Sequence, residues 1–237
     1  MLKKSVFVLV IAALTACDAA TLQQLGSAVG AGALSETDIA SGLKEALTNG
    51  IGKGADQLSA VNGYFESPYK ILLPPEARQI TNRLQNIPGF SEVEKEILQR
   101  INRGAEDAAK KAKPIFVNAI RQMTFADATN ILMGADDAAT QYLGRTTRDA
   151  LYAEFNPVII ESLDKFNARQ YWSDAVSAYN RIPLVEKANP SLDDYVTSSA
   201  LDGLFAMVAK EELNIRKNVN ARTSDLLRRV FARQDNK

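Results

Sequence analysis

Histidine is absent from the 237 residues of the chain, and cysteine occurs once, at Cys17. Histidine is the side chain best suited to proton transfer near neutral pH, so its absence excludes serine or cysteine nucleophiles that depend on a histidine base. Zinc sites built from histidine and cysteine are excluded as well, and a single cysteine excludes an intrachain disulfide. The remaining reactive side chains are carboxylates, lysines, tyrosines and arginines. We therefore expect a protein that has no cofactor and is not an enzyme.

Neither sign of charge predominates, since 28 lysines and arginines are balanced by 28 aspartates and glutamates. A general nucleic-acid-binding protein would show a basic excess or a basic face, so nucleic acid is not expected as a partner. The calcium-loop signature D-x-D-x-D-G is also missing, and we expect no metal site. With 46% hydrophobic residues, the chain has an ordinary globular composition and enough length for a stable core.

The N-terminal segment has the layout of a secretory signal. A pair of lysines precedes a mostly apolar run at 5–14, which is too short to span a bilayer as a mature helix. The run ends in L-T-A-C at 14–17, which resembles the lipidation box of bacterial lipoproteins. That resemblance implies a signal peptide over 1–16 and a mature N-terminus at Cys17 that acyl chains anchor in a membrane. The alternative is an ordinary leader that ends in a buried cysteine.

Residues 17–34 follow as the lipidated N-terminus and a tether rich in alanine and glycine. A flexible tether of this length spans roughly 20–25 Å r.m.s.. We therefore expect a bacterial cell-envelope protein that is lipid-anchored and faces the periplasm. The sequence does not decide between the inner and the outer membrane.

Beyond the tether, apolar residues recur with helical spacing, and no window shows sustained alternation with a period of two. The predicted fold class is all-α, with a single multi-helix domain over 35–234. Ser35 and Asp38 have the spacing of a capping box at the start of the first helix. The glycine run at 50–54 lacks a preceding strand and a closing Gly-Lys-Ser/Thr, so the helix is predicted to continue through it rather than form a phosphate loop.

A predicted loop and two predicted helices follow the first helix and precede the middle of the chain. Residues 62–75 contain Asn-Gly, Ser-Pro and Pro-Pro pairs, which are typical of a loop, and the apolar residues 71–73 are expected to hold this loop to the core. A short helix is predicted at 76–85, and Ser91 with Glu94 is predicted to cap a longer one.

The segment 113–151 is predicted to form three linked helical pieces. Thr124 and Asp127 form a second capping-box pattern at the start of the middle piece. Gly134 suits the left-handed position that ends a helix, and one of the aspartates at 136–137 is expected to cap the third piece. The predicted buried faces contain Phe116, Ile120 and Met123 in the first piece, and Phe125, Ala128, Ile131 and Leu132 in the second.

Further helices are predicted towards the C-terminus. Pro157 is expected to start or kink one of them, and Ser191 with Asp194 forms a third capping-box pattern. Thr223 is expected to cap the last helix. A helical stripe of apolar residues lies between these caps and consists of Leu201, Leu204, Phe205 and Val208.

Three arginines are the tentative contact site for an anion or a partner. Arg145 and Arg148 are neighbours at a spacing of three on a predicted helix, and Arg121 precedes a turn that could bring it back to them. Arginines in such an arrangement hold a carboxylate, phosphate or sulfate. The alternative is a structural ion pair, for instance with Asp127 or Asp149, or plain solvation.

Three adjacent acidic pairs, at 136–137, 193–194 and 211–212, are further candidates for metal or acid-base groups. Neighbouring residues on a helix point about 100° apart, so one pair alone does not form a two-carboxylate site. The first two pairs lie at predicted helix starts, where acidic side chains offset the helix dipole. Glu211 and Glu212 are expected to face water.

Tyr171 and Trp172 form an adjacent aromatic pair in a short predicted helix. Aromatic side chains are enriched at protein interfaces, so the pair is a candidate contact patch. The preferred interpretation places both residues in or at the edge of the core, with Tyr171, Ala175 and Ala178 on the buried face of the helix.

Segments 116–147, 195–216 and 221–231, together with LSETDIASGLKEAL at 34–47, resemble a bacterial envelope family, domain of unknown function family 4197. The likeness extends over 34–231. It implies an exported protein with a helical domain, and it implies no activity and no catalytic residues.

The function expected from the sequence is a binding or interaction module on a lipid anchor, with an envelope protein or a small ligand as partner. A small-molecule or lipid carrier with a cavity among its helices is the alternative. An enzyme that uses carboxylates, tyrosine or lysine is the least favoured.

We predict that Cys17→Ala abolishes lipidation, because Cys17 is the acceptor in the L-T-A-C box. Labelled fatty acid should enter the wild-type protein and not the variant, which should be soluble or unprocessed. Ser27→Ala, in the tether, is the matched control and should be labelled like the wild type. Equal labelling of the Cys17 variant and the wild type would contradict the prediction.

Overall fold

Helices form all the regular secondary structure in the part of the chain that the structure describes, which confirms the all-α prediction. The computed structural model describes residues 34–77, 93–165, 167–181, 183–184 and 186–235. The predicted leader, Cys17, the tether up to residue 33, the Ser91 cap and nearly all of the helix predicted at 76–85 lie outside these residues. The helices are α1 Glu36–Ser59, α2 Val93–Ala109, α3 Ala112–Gln122, α4 Phe125–Leu132, α5 Ala138–Asp164, α6 Ala168–Asn180, α7 Leu192–Lys217, a 3-10 turn Val219–Ala221 and α8 Asp225–Phe231.

The long helices α5 and α7 pack against each other, and their neighbours cover them. Helix α2 packs along α5, while α1 packs along α7 and also contacts α3, α4 and α8. The predicted stripe on α7 is buried. One of its members, Phe205, meets Phe116 of α3 edge to face, with the ring centroids 5.8 Å apart.

Helix α1 begins at the predicted capping box and runs through its glycines. The Ser35 hydroxyl accepts a hydrogen bond from the Asp38 amide, and the Asp38 carboxylate accepts one from the Ser35 amide, at 3.1 and 3.0 Å. The Ser35 hydroxyl also donates to the Asp38 carboxylate at 2.8 Å, and this bond together with the bond from the Ser35 amide lowers the pKa of Asp38. A Cβ on Gly54 would lie 2.9 Å from Met207 Cγ, so the glycine allows α1 and α7 to approach closely. The run is therefore a helix-packing surface.

The cap of α4 is confirmed, and one residue of its predicted buried face is wrong. Thr124 and Asp127 exchange the two capping-box bonds. The pKa of Asp127 is lowered because its carboxylate accepts from the Thr124 hydroxyl and from the Thr124 amide. Phe125 is 54% exposed, because it occupies the first position of the helix, ahead of the buried face. The other predicted face residues are buried: Phe116, Ile120, Met123, Ala128, Ile131 and Leu132.

Gly134 follows α4, as predicted, but for a different reason. Its φ is not in the left-handed region, so the prediction of a left-handed residue is wrong. A Cβ at this position would lie 2.9 Å from both Ala138 Cβ and the carbonyl oxygen of Asn130. The glycine is therefore required by the tight approach of α4 to the start of α5.

Pro157 lies inside α5, so the prediction that it starts a new helix is wrong. A proline removes one backbone donor from a helix, which packing has to offset. A buried stripe continues on both sides of it and consists of Leu151, Phe155, Ile159 and Leu163.

Helix α6 buries Trp172 rather than Tyr171, which corrects the predicted face. Tyr171 is 60% exposed, whereas Trp172 is buried and donates a hydrogen bond to the carbonyl of Asn189 at 3.1 Å. The buried face therefore follows the register of Ala168, Trp172, Val176 and Tyr179.

Two predicted caps differ in the structure. Ser191 is the residue before α7 but makes no side-chain capping bond. The Asp194 carboxylate instead accepts a hydrogen bond from the Tyr152 hydroxyl at 2.7 Å, which raises the pKa of Tyr152 to about 12. Helix α8 is capped one residue later than predicted, because the Ser224 hydroxyl, rather than Thr223, accepts from the Leu227 amide.

The predicted loop between α1 and α2 is held to the core mainly by buried polar side chains of α2. The Glu106 carboxylate accepts from the amides of Tyr64 and Phe65, both at 3.2 Å. Asn102 bonds both the amide and the carbonyl of Ile71, at 2.8 and 2.9 Å. Of the apolar residues predicted to hold the loop, Ile71 is buried and Leu72 is 51% exposed, so apolar packing is only part of the attachment.

A buried ion pair on α7 joins α4 to α5, and it overturns the prediction that Glu212 faces water. The Glu212 carboxylate accepts from the backbone amides of Ala139 and Thr140, at 2.9 and 2.8 Å, and so caps α5. Of the two aspartates at 136–137, one of which was expected to do this, Asp137 occupies the cap position without a side-chain capping bond. Glu212 also accepts from Arg216 at 2.7 Å.

The same Arg216 holds the other side of the junction. Its guanidinium donates to the carbonyls of Ile131 and Leu132, at 2.9 and 3.2 Å, where α4 ends. Both side chains of the pair are nearly inaccessible, at 2% for Arg216 and 4% for Glu212. Each charge therefore meets the helix end of opposite polarity and is almost completely shielded from water.

We predict that Glu212→Gln destabilises the fold by about 3–5 kcal/mol, because it leaves the Arg216 charge buried without its anion. Urea unfolding of the purified chain measures this cost. Glu161→Gln is the matched control, since the Glu161–Lys165 pair is exposed on α5, and it should change stability by less than about 0.5 kcal/mol. Similar costs for the two variants would show that the buried pair has no special role.

Candidate binding groove

A groove with a volume of about 280 Å³ lies between α1, α7 and the turn that leads into α8. Its floor is apolar and its rim is polar. The floor residues are Ala46, Gly50, Ile215, Ala221 and Leu227. The rim residues are Asn49, Lys53, Asn214, Asn218, Asn220 and Thr223, and Glu211 lies in the wall between floor and rim.

Close packing of α1 on α7 creates the narrow end of the groove. A Cβ on Gly50 would lie 3.1 Å from Ile215 Cδ1 and 3.5 Å from Glu211 Cβ. The glycine therefore lets α7 present Ile215 and Glu211 beside the backbone of α1. Any side chain at position 50 would enter this space.

The rim offers several polar groups that are not used by the fold. Asn218 is engaged, since its side chain accepts from the Asn220 amide at 3.0 Å and donates to Asn214 Oδ1 at 3.3 Å. Within the described part of the chain, no hydrogen bond is made by the side chains of Asn49, Asn220 and Thr223 or by Asn214 Nδ2. These groups are available to hydrogen-bond a hydroxyl or amide of a ligand.

Glu211 is the charged group in the wall of the groove, and its predicted exposure is wrong. Its side chain is only 8% exposed. The Lys53 ammonium lies 3.2 and 3.4 Å from the two carboxylate oxygens, and the Lys53 side chain is 65% exposed. The negative charge also reaches Tyr69, whose pKa is raised by burial and by Glu211.

A second pocket, of about 290 Å³, lies at the α4–α5 junction. Its charged residues are already paired. Lys217 contacts Asp136 at 3.1 Å, Asp235 contacts the buried Arg222 at 2.7 Å, and Arg216 belongs to the buried pair described above. The Gln234 amide donates to the carbonyl of Leu132. This pocket therefore has less unused polar capacity than the groove.

The three arginines of the predicted anion site share no partner among the described residues. Arg148 forms an ion pair with Asp202 at 2.7 Å, rather than with Asp127 or Asp149, and its guanidinium lies 5.9 Å from the centroid of the Phe205 ring. Arg121 and Arg145 are exposed, and neither guanidinium forms an ion pair with the described part of the chain.

Sequence reasoning missed Glu211, although the chain carries a signal for its burial. The apolar stripe on α7 ends at Val208 in the prediction. Continued with the same helical spacing, it passes through Glu211, Glu212 and Ile215, all of which are buried. The acidic character of Glu211 and Glu212 suggested that they are exposed to water, whereas their helical register with Val208 indicated that they are buried in the core.

The sequence matches the family described as "Protein of unknown function (DUF4197)" over residues 33–232. The chain belongs to this family. No curated protein and no solved structure matches it. The helical domain of this DUF4197 protein, with the groove on it, thus falls within the matched residues.

No group of three or more acidic, cysteine or histidine side chains in the described ranges is placed to hold a metal ion. None of the described helices is long and apolar enough to cross a membrane.

We predict that replacing Arg145 and Arg148 by glutamine costs the DUF4197 domain less than about 0.5 kcal/mol per site, because the Arg148–Asp202 pair is exposed. Urea unfolding measures this cost. An anion site would give a different result: phosphate or sulfate would raise the midpoint of the wild type and not that of the variant. A loss of several kcal/mol would instead reveal a buried network.

We also predict that a chelator leaves the thermal midpoint of the domain unchanged, because only oxygen ligands are present and no calcium-loop signature occurs. Differential scanning calorimetry with and without EDTA tests this. A large drop that calcium or magnesium restores would show that the acidic pairs had been misinterpreted.

Proposed function

We propose that this DUF4197 protein is a lipid-anchored binding module of the bacterial envelope, and that its groove holds a small polar ligand. The observation that carries the proposal is the combination of an apolar floor with amide and hydroxyl groups that the fold leaves unused. Ligand pockets in proteins are mostly apolar with a few placed polar groups. The groove likewise combines an apolar floor with placed polar groups, at a volume just below their usual range of roughly 300–1,000 Å³.

The size and lining of the groove favour a ligand of about one sugar ring or two amino acids. The floor, which includes Ala46, Ile215 and Leu227, can pack against the C–H groups on one face of such a ligand. The carboxamides of Asn49 and Asn220 each offer donors and an acceptor, which match hydroxyl and amide groups. A lipid carrier is less favoured by the two described pockets, because polar side chains line both of them.

The envelope location is proposed from the N-terminal sequence. The box at 14–17 places the acceptor cysteine directly after an apolar leader, and the tether up to residue 34 separates it from the domain. A flexible tether of this length would have an end-to-end distance of roughly 20–25 Å r.m.s.. Ligand capture would then occur close to the membrane surface.

We predict that full-length protein in detergent binds at least one compound from a panel of hexoses, amino sugars, amino acids and dipeptides. Asn49→Ala combined with Asn220→Ala should weaken that binding by about tenfold, as expected for the loss of two hydrogen bonds. Titration calorimetry gives the affinities.

Asn130→Ala is the matched control, since Asn130 is an exposed asparagine on α4, away from the groove lining. It should bind like the wild type. Failure of every compound to bind, or equal binding by the double variant and the wild type, would contradict the groove as the binding site.

A further inference from the structure

The wall of the groove contains a buried carboxylate that the fold does not fully use. We propose that the ligand carries a primary ammonium group, and that this group replaces the Lys53 ammonium on Glu211. The inference rests on the proposed function and specifies the chemistry of the ligand. Amino sugars and the amino ends of short peptides share this chemistry.

Three buried glutamates differ in the number of hydrogen bonds that their carboxylates accept. Glu212 accepts hydrogen bonds from two backbone amides, from the Thr140 hydroxyl and from two nitrogens of Arg216. Glu106 accepts from two backbone amides and from Arg103 at 2.6 Å. Glu211 accepts only from Lys53 within the described part of the chain. An ionised carboxylate has about four acceptor positions, so Glu211 retains unused capacity.

The contact between the Lys53 ammonium and the Glu211 carboxylate is long and largely exposed. Charge-assisted N–H···O bonds are usually about 2.7–2.9 Å long, whereas the Lys53 ammonium lies at 3.2 and 3.4 Å. The Lys53 side chain is largely in water, and exposed ion pairs contribute little free energy. Moving the Lys53 ammonium aside for a better-placed donor is therefore inexpensive.

The lining of the groove favours an ammonium group over a calcium ion or an anion. An ammonium is compact and has three donors, so it can bond Glu211 and keep donors for other acceptors of the lining, such as the carboxamide oxygen of Asn49. Calcium takes six to eight oxygen ligands, and the groove supplies one carboxylate. An anionic ligand would be repelled by Glu211. In a ligand with one ammonium group and adjacent hydroxyl or amide groups, the ammonium would bond Glu211 in the wall and the other groups would bond the polar side chains of the rim.

The test compares each amine with its N-acetylated form, because acetylation removes the charge and keeps the rest of the molecule. Glucosamine is compared with N-acetylglucosamine, and alanyl-alanine amide with N-acetyl-alanyl-alanine amide, by calorimetry on the full-length protein in detergent. We expect at least one amine to bind ten times more tightly than its acetylated form. The pair that shows the difference identifies the source as sugar or peptide.

Two variants examine the roles of the charged residues. Glu211→Gln should remove the preference for the amine. Lys53→Met should strengthen amine binding, because it removes the competing ammonium. Lys210→Met is the matched control: Lys210 is exposed on α7 beside Glu211 and does not line the groove, so it should bind like the wild type. The Lys53 and acetylation tests remain decisive even when Glu211→Gln fails to fold.

Each alternative outcome is distinct. Equal binding of an amine and its acetylated form overturns the ammonium inference and leaves the groove as a binding site. Weaker amine binding by Lys53→Met overturns the exchange, because Lys53 would then contact the ligand itself. Absence of binding by the amines and by every neutral compound overturns both the inference and the proposed function.

Discussion

The fold depends on the buried pair of Glu212 and Arg216, because two helix ends are completed by side chains from a third helix. No side chain of the short turn between α4 and α5 bonds the amides of Ala139 and Thr140 at the start of α5. Glu212 supplies that cap, while Arg216 binds the last carbonyls of α4. The negative group meets the positive end of a helix and the positive group meets the negative end, so both dipoles favour the arrangement. One ion pair thereby fixes the middle of the chain against α7.

Buried charges serve the same purpose elsewhere. Arg222, which is 1% exposed, donates to the carbonyls of Ile215 and Arg216 at the end of α7 and binds Asp235 near the C-terminus. The Glu106 carboxylate holds the loop after α1 by accepting from the backbone amides of Tyr64 and Phe65. A buried charge is costly unless it is paired and fully hydrogen-bonded, and these residues meet that condition. Among the described residues, Glu211 has a single partner, the solvent-exposed Lys53, which separates it from the structural charges.

The sequence predicts the features that are local along the chain. The capping boxes at Ser35 and Thr124 join residues three positions apart, so their patterns can be read directly, and helical periodicity marks most of the core. The junction cannot be predicted in this way, because the bond from the Ala139 amide to Glu212 connects residues 73 positions apart. The same applies to Arg148 and Asp202, which are 54 positions apart. Composition suggested water for Glu211 and Glu212, and only their register with Val208 indicated burial.

The adjacency of these two glutamates connects stability with the proposed binding. Neighbours on a helix point in different directions, so Glu212 faces the α4–α5 junction while Glu211 faces the groove. The junction holds this turn of α7 in place, and Gly50 fixes its distance from α1. The Glu211 carboxylate is therefore positioned by the backbone rather than by its own hydrogen bonds. A group held in this way needs little reorganisation when a ligand arrives, which lowers the cost of binding. The domain can keep one buried carboxylate incompletely bonded because the next residue anchors the helix that carries both.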